Sequence, residues 1–346
     1  MTSSLGSSIV VAVSEATQIG EARRRSVELA VQLGFDQTRQ GKAALVVTEA
    51  ASNLVKHSGG GQLILAGFTY GQAGAHLEIW TLDSGRGMND LSRCIADGYS
   101  SAGSPGNGLG AISRIADAFE IYSGSENGTV LWARLDTNPE LRAHRRDELN
   151  LGVVRVAAPG EQLCGDDWAM IDRDGLSFVL MVDGLGHGPP AALAAAEAVR
   201  IFQGHRSQEP VEIVESTHRA IRSTRGAALA IVRLDLAKGE VRYAGVGNIC
   251  GVVFDTKTGE STSMVSHNGT VGYAIRKIQH YDYPWAEESL LVMHSDGLAT
   301  HWNLDRYPGI AQRHPSLIAG ALYRDHKRGR DDVTVLVAHR ERGQSP

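Results

Sequence analysis

Cysteine is scarce in the 346-residue sequence: Cys94, Cys164 and Cys250 are odd in number and far apart, which fits neither a disulfide framework nor a Cys-x-x-Cys metal site. A reducing, cytoplasmic setting is the expectation that follows. No apolar run approaches the ~20 residues of a membrane span, and Met1 to Gly6 lack the basic segment and apolar core of a secretory leader, so no membrane association is expected. Positive charge is not in excess either. The net charge of −5 argues against a nucleic-acid binder, which needs a basic face to neutralise phosphates. The length is large for one core, so two domains are expected.

What the sequence does hold is short apolar runs that end in acids and glycines. Val182-Asp183-Gly184-Leu185-Gly186-His187-Gly188 follows the run Phe178 to Met181 and predicts a buried strand ending in a tight turn. Asp183 then stands at a strand end, where a carboxylate is placed to hold a metal. The pattern recurs at Gly165-Asp166-Asp167, Ser295-Asp296-Gly297 and Arg330-Asp331-Asp332. Hard divalent ions need clustered oxygen ligands on sharply turning backbone, and four such acids in one half of the chain point to that chemistry.

In the first half, Ser8 to Val13 reads as a strand and Ala16 to Gly34 as a helix stopped by Gly34. Gln37 to His57 predicts a longer helix with an apolar stripe of Ala44, Val47, Ala51 and Leu54. Glu49 and Asn53 lie one turn apart on another face and can converge on one ligand. Gln62 to Tyr70 and His76 to Leu82 predict paired strands, the second delivering Asp83-Ser84-Gly85-Arg86-Gly87-Met88. Gly106-Asn107-Gly108-Leu109-Gly110 then leads into a helix expected over Ala111 to Phe119, with glycines that let backbone approach phosphate closely.

Glu49 with Asn53, Asp83-x-Gly-x-Gly and Gly106-x-Gly-Leu-Gly, in this order, resemble the GHKL (Bergerat-fold) ATPase family, closest to its serine kinase and anti-sigma branch typified by RsbT and RsbW. The resemblance covers Ala16 to Leu135 and implies an α/β sandwich holding ATP with Mg²⁺. It assigns Asn53 to Mg²⁺ and Glu49 to polarising the attacking hydroxyl. Asp83 would accept a hydrogen bond from the adenine amino group, beside Gly85, Gly87 and Thr129. Gly106, Gly108, Leu109 and Gly110 would border the triphosphate, under a short lid formed by Asp90 to Pro105. His57, one turn beyond Asn53, is read as structural or lid-facing.

Asn138 to Asn150 is charged and carries no apolar stripe wide enough for a core helix. It sets a linker, 138–150, between an ATP-binding domain, 1–137, and a second domain, 151–346. There Leu151 to Ala157 predicts a strand, and Ala169 to Ile171 with Leu176 to Val182 a hairpin about Asp172-Arg173-Asp174-Gly175. Helices are expected over Ala191 to Phe202 and Val211 to Thr224. Strands are expected over Ala227 to Asp235, Glu240 to Val246, Cys250 to Asp255, Ser289 to His294 and Val333 to Ala338.

This order of acidic motifs resembles the metal-dependent serine/threonine (PPM) phosphatases, specifically their compact SpoIIE and RsbX branch. The resemblance implies a β-sandwich flanked by helices around two Mn²⁺ or Mg²⁺ ions. Asp183 would bridge the ions, the Gly184 carbonyl and Asp166 would serve one, and Asp296 and Asp331 the other. Asp167 departs from the commoner, aromatic form of its motif and leaves the choice between Asp166 and Asp167 open. His187 is read as structural, with protonation of a leaving serine oxygen as its other role.

The two resemblances together imply an α/β (α+β) chain that works as a bifunctional partner-switching regulator. The first domain would phosphorylate, and the second dephosphorylate, a STAS-domain protein on Ser or Thr, with a sigma factor or another signalling protein as further partner and a homodimer as the assembly. The alternative is a phosphatase whose first domain is a non-catalytic, nucleotide-gated binding module.

Overall fold

A computed structural model describes residues 2–4, 6, 8–70, 74–88, 91, 108–124, 128–140 and 149–340. The chain divides into two compact units, Ser8–Arg146, and Met1–Ser7 together with Asp147–Pro346. Strand β1 (Thr2–Ser4) therefore belongs to the second unit although it opens the sequence.

The first unit runs β2 (Ile9–Val13), α1 (Ala16–Gln32), α2 (Gln37–Asn53), β3 (Gly61–Thr69), β4 (Ala75–Asp83), α3 (Gly108–Ile115), β5 (Ala118–Ser123) and β6 (Thr129–Asp136). The strands pair antiparallel in the order β2-β3-β4-β6-β5. α1 starts in a capping box, in which Gln18 Oε1 accepts from the backbone N–H of Glu15 at 3.0 Å, and ends before Gly34 at φ 81°. The stripe Ala44, Val47, Ala51 and Leu54 is buried, and Val47, Ala51 and Leu54 pack with Leu63, Leu65, Leu77, Ile79, Leu131 and Ala133 of the sheet into one core. On the alternate positions of β4 and β6, Trp132 Nε1 donates to Glu78 Oε2 at 2.9 Å, and Glu78 Oε1 lies 3.1 Å from His76 Nε2. Burial holds the His76 imidazole below its usual pKa.

Two features of this unit differ from the sequence expectation. α2 stops at Asn53, and a π-helical turn, Leu54–Ser58, carries the chain to Gly59 at φ 72°. The helix expected to reach Phe119 ends at Ile115, and Ala118–Ser123 is a strand. The break is electrostatic and set by partners distant in sequence: the Asp117 carboxylate accepts from the Asp136 backbone N–H at 2.7 Å and from Arg39 Nη2 at 3.2 Å, which ties that residue to the sheet.

The second unit contains two antiparallel sheets. One runs β14 (Ser266–His267) or β17 (Tyr281–Pro284), then β11 (Glu240–Val246), β10 (Ala227–Asp235), β9 (Leu176–Gly184), β8 (Asp166–Arg173) and β1. Only the short β14 joins it in parallel. The other runs β13 (Ser261–Ser263), β12 (Cys250–Asp255), β18 (Ser289–His294), β19 (Val333–Arg340) and β7 (Leu149–Val156). β15 (Gly269–Thr270) and β16 (Ala274–Ile275) form a small ribbon. Helices α4 (Pro189–Gly204) and α5 (Pro210–Ala220) cover the first sheet, where Phe178, Leu180 and Val182 meet Ala195, Ala198, Phe202 and Ile213. Helix α6 (Pro315–His326), which the sequence reading did not anticipate, packs on β7 and β19. β8 and β9 are joined by the two-residue turn Asp174-Gly175, with φ of 53° and 74°, the doubly left-handed geometry that Asp-Gly favours. Among the described residues no helix is long and apolar enough to cross a membrane.

Candidate functional site

In the first unit, α2 brings Glu49 and Asn53 to one place, and the start of α3 meets them there. A Cβ built on Gly108 would stand 3.3 Å from both Glu49 Oε2 and Asn53 Oδ1, which places the start of α3 against both side chains. Asn53 Nδ2 is buried without a hydrogen-bond partner among the described residues, an arrangement suited to an occupied ligand site rather than to a finished core. Its Oδ1 is the hard donor that Mg²⁺ accepts. The π-helical turn widens the backbone immediately after Asn53, and such insertions recur at functional sites.

Asp83 ends β4 across from Thr129 in register. Its Oδ1 accepts from the backbone N–H of Gly85 at 2.8 Å and of Thr129 at 3.2 Å, which fixes the plane of the carboxylate. A Cβ on Gly87, at φ 68°, would fall 2.2 Å from the Gly124 carbonyl oxygen, so this segment folds against β5 only as glycine. Leu109 packs against the core beside Gly108, and Gly110 is buried within α3. Gly106 and almost all of the expected lid, Asp90 to Pro105, lie outside the described residues.

In the second unit the β8–β9 register sets Asp166 directly opposite Asp183. Asp166 is buried, its Oδ2 accepts from the Ser295 hydroxyl at 2.6 Å, and its Oδ1 is buried with no hydrogen-bond partner within normal distance and angle among the described residues. Ser295 is itself held by the backbone N–H of Thr334, 2.9 Å from its Oγ. Asp167 points elsewhere and pairs with Arg155 at 2.5 Å, so the structure places Asp166, rather than Asp167, facing Asp183.

Gly184 follows in β9. A Cβ there would lie 2.2 Å from the Ala191 carbonyl oxygen, so the start of α4 can close over this carbonyl only with glycine at the position. Asp296 follows β18, and its Oδ2 accepts from Asn248 Nδ2 at 2.7 Å. Asp331 precedes β19, and its Oδ1 accepts from the Asp332 N–H at 2.9 Å. Asp332 is turned inward, its Oδ1 accepting from the Ala158 N–H at 2.8 Å. His187 is exposed on the rim, its Nδ1 2.7 Å from Glu161 Oε1.

The acids raise one another's affinity for positive charge, whether a proton or a metal ion. Burial first, then the fields of Asp166, Asp296, Asp331 and Asp332, push the Asp183 carboxyl far above the ordinary carboxylate range. Burial and Asp332 push Asp166 up as well, against the pull of the Ser295 hydroxyl. Among the described residues no three acidic, His or Cys side chains close into a cage on one ion, so the site is an open cluster around Asp183. All its donors are oxygens, and one of them is buried and orphaned. That donor set fits Mg²⁺ or Mn²⁺.

Sequence reasoning found the acids and missed what holds them. Ser295 stands in its motif as the residue before Asp296, and Asn248 in a Gly-Val-Gly-Asn block after β11. Neither carries a signal of its partner, which lies 129 residues away for Ser295 and 48 for Asn248.

The two units thus define an ATPase-like sandwich and a metallophosphatase-like sandwich in one chain. Residues 12–135 match the family model described as histidine kinase-like ATPase domain, and residues 173–341 match that of stage II sporulation protein E (SpoIIE). The serine/threonine-protein kinase RsbT of Bacillus subtilis (strain 168) is 31% identical over 113 residues, covering 32% of this chain and 84% of RsbT. The phosphoserine phosphatase RsbX of the same organism is 23% identical over 158 residues, covering 46% of this chain and 79% of RsbX. A solved structure described as "The bacterial stressosome: a modular system that has been adapted to control secondary messenger signaling" superposes with a TM-score of 0.52 and 29% identity, over 56% of this chain and 100% of that one. Over its first unit the chain belongs to the RsbT-like ATPase family, and it joins that domain to a second whose residues 173–341 match the SpoIIE model.

Proposed function

We propose that this chain is a bifunctional partner-switching regulator that phosphorylates a STAS-domain protein on serine or threonine with its first unit and removes the phosphate with its second. The observation that supports the phosphatase half best is the registered pair Asp166 and Asp183, with one buried carboxylate oxygen left without a partner among the described residues. Asp166, Asp183, the Gly184 carbonyl, Asp296 and Asp331 would hold two Mn²⁺ or Mg²⁺ ions. Ions bound there supply activation of water and neutralisation of phosphate charge. The chain's own residues orient the site: Ser295 aims Asp166, Asn248 aims Asp296, and Gly184 admits α4 at the rim.

In the first unit Glu49 takes the role of orienting the substrate hydroxyl, Asn53 that of the Mg²⁺ ligand, and Asp83 that of the adenine acceptor, with Gly106, Gly108 and Gly110 along the triphosphate. The functional division is an ATP-binding domain that ends by residue 137 and a phosphatase domain from 151, to which the fold adds β1. Nucleotide occupancy of the first domain tunes the second, because opposed activities on one substrate need a signal that selects between them. A sigma factor or other signalling protein, and a second copy of the chain, complete the set of partners.

The test is hydrolysis of a serine-phosphorylated STAS protein by the full chain, with Mn²⁺, with chelator, and with Asp183→Ala. Turnover that needs metal and vanishes in the variant supports the reading. Turnover that survives chelator overturns it. Equal rates with and without ATP or ADP, at saturating substrate, would remove the nucleotide control.

A further inference from the structure

β8 carries Asp166 at its start and pairs with β9 along one edge. Its other edge is taken by residues from the opposite end of the sequence: Thr2 stands opposite Met170, and Ser3 opposite Ala169, antiparallel. The chain then reaches Gly6, whose carbonyl accepts from Arg155 Nη2. Arg155 lies on β7 in the other sheet and is buried, 6% exposed. Its Nη1 donates to the Asp166 carbonyl at 3.0 Å and to the Asp167 carboxylate at 2.5 Å. One guanidinium thus ties the segment after β1 to the backbone of Asp166.

We propose that Thr2–Ser4 and Gly6 are a structural part of the phosphatase unit, and that Arg155 is a positioning residue that holds Asp166 at the metal centre. The proposal rests on the reading of Asp166 as a metal ligand. Its physical content is geometric. The side chain of Asp166 is aimed by Ser295 through Oδ2, but aiming a carboxylate requires that its backbone also be fixed, and Arg155 supplies that second anchor.

A guanidinium is needed because the three acceptors, two carbonyls and a carboxylate, lie on two prongs of a planar fork, which the single ammonium of lysine does not reproduce. The Gly6 carbonyl in turn gives Nη2 a partner inside the fold, without which a buried charged donor is left unsatisfied. The strand also pairs an edge of β8 that would otherwise be open. A fragment beginning at Asn150 is, on this view, short of one strand and one acceptor.

The experiment uses the full chain with residues 2–6 deleted, with Ser3→Pro, which disfavours the strand by removing a backbone N–H from β1, and with Arg155→Lys. Two readouts besides turnover are taken: calorimetric Mn²⁺ binding, and hydrogen exchange of the Asp166 to Met170 amides in chelator. Each variant is expected to weaken Mn²⁺ binding about tenfold, the effect of one lost hydrogen bond to a charged group. Exchange at Ala169 and Met170 is expected to speed up by about tenfold or more in the deletion and in Ser3→Pro. Combining the deletion with Arg155→Lys should weaken binding by less than the product of the two effects, since both act on one network. Unchanged exchange and unchanged Mn²⁺ affinity in the deletion, or effects that multiply fully, would overturn the proposal. Absence of Mn²⁺ binding by the wild type would count against the phosphatase reading alone, and the exchange data then decide whether the strand belongs to this unit.

Discussion

Replacing Asp183 by Asn is expected to stabilise the metal-free protein while abolishing phosphate hydrolysis. In the fold, burial and four neighbouring acids lift the Asp183 carboxyl from 3.8 to about 9. In the unfolded chain the same group has released its proton by neutral pH. The native state therefore binds a proton that the unfolded state does not, so wild-type stability without metal falls as pH rises from about 4 towards 9. At ~1.4 kcal/mol per pKa unit, the span of about three units between 3.8 and neutrality sets a ceiling of about 4 kcal/mol. Asp166 titrates with Asp183 as a pair, so the relief available from one substitution is about half of that, ~2 kcal/mol. Urea denaturation in chelator at about pH 5 and about pH 8 reads the effect directly. The Asn variant should be the more stable at the higher pH, with a shallower pH dependence, and Mn²⁺ should stabilise the wild type but not the variant. A variant equal to or weaker than wild type in chelator, or one with the same pH slope, would refute the account of Asp183 as a carboxyl held in a repulsive field.

Gly184→Ala puts a methyl 2.2 Å from the Ala191 carbonyl oxygen, so Mn²⁺ binding should be lost and the unfolding free energy reduced by about 1–3 kcal/mol, read by calorimetry and urea titration. Asp83→Ala should weaken ATP binding by about 10- to 100-fold, the loss of one charged hydrogen bond, as followed by fluorescent nucleotide displacement. Glu49→Ala should abolish phosphate transfer to a STAS protein while leaving ATP affinity within about threefold; transfer by the variant would remove Glu49 from the chemistry, and none by wild type would leave the first unit as a binding module. The His76 imidazole should titrate below 6.5 by NMR. Because its folded pKa is depressed, the first unit loses stability as pH falls through that region, and a midpoint at or above 6.5 would contradict its burial against Glu78.

The legible parts of the fold were those encoded over a few residues. The stripe on α2, the stop at Gly34 and the Asp-Gly turn at 174–175 are local signals, and the structure has all three. So are the positions of Asp83, Asp183 and Asp296 at or just after strand ends, and of Asp166 and Asp331 at or just before strand starts, because acids bordering an apolar run need no partner to be recognised. What escaped is non-local. β5 continues an apolar pattern that reads as helix until Arg39 and Asp136 claim Asp117. Arg155 looks like any charged residue in a strand until Gly6 and Asp166 arrive from opposite directions in the sequence. The choice between Asp166 and Asp167 is likewise a choice of sheet face, and only pairing with Asp183 and Arg155 makes it.

The hairpin that joins β8 to β9 acts as a ruler. From Asp166 to Asp183 every residue is paired except the two at the turn, Asp174 and Gly175. Successive side chains on a strand alternate between faces, so one residue gained or lost in either arm would send one of the two carboxylates to the far side of the sheet. Insertions near this turn are thus tolerated only as length changes that keep parity. Among natural and engineered variants of this chain, the spacing between these two acids should be the least elastic distance in the sequence.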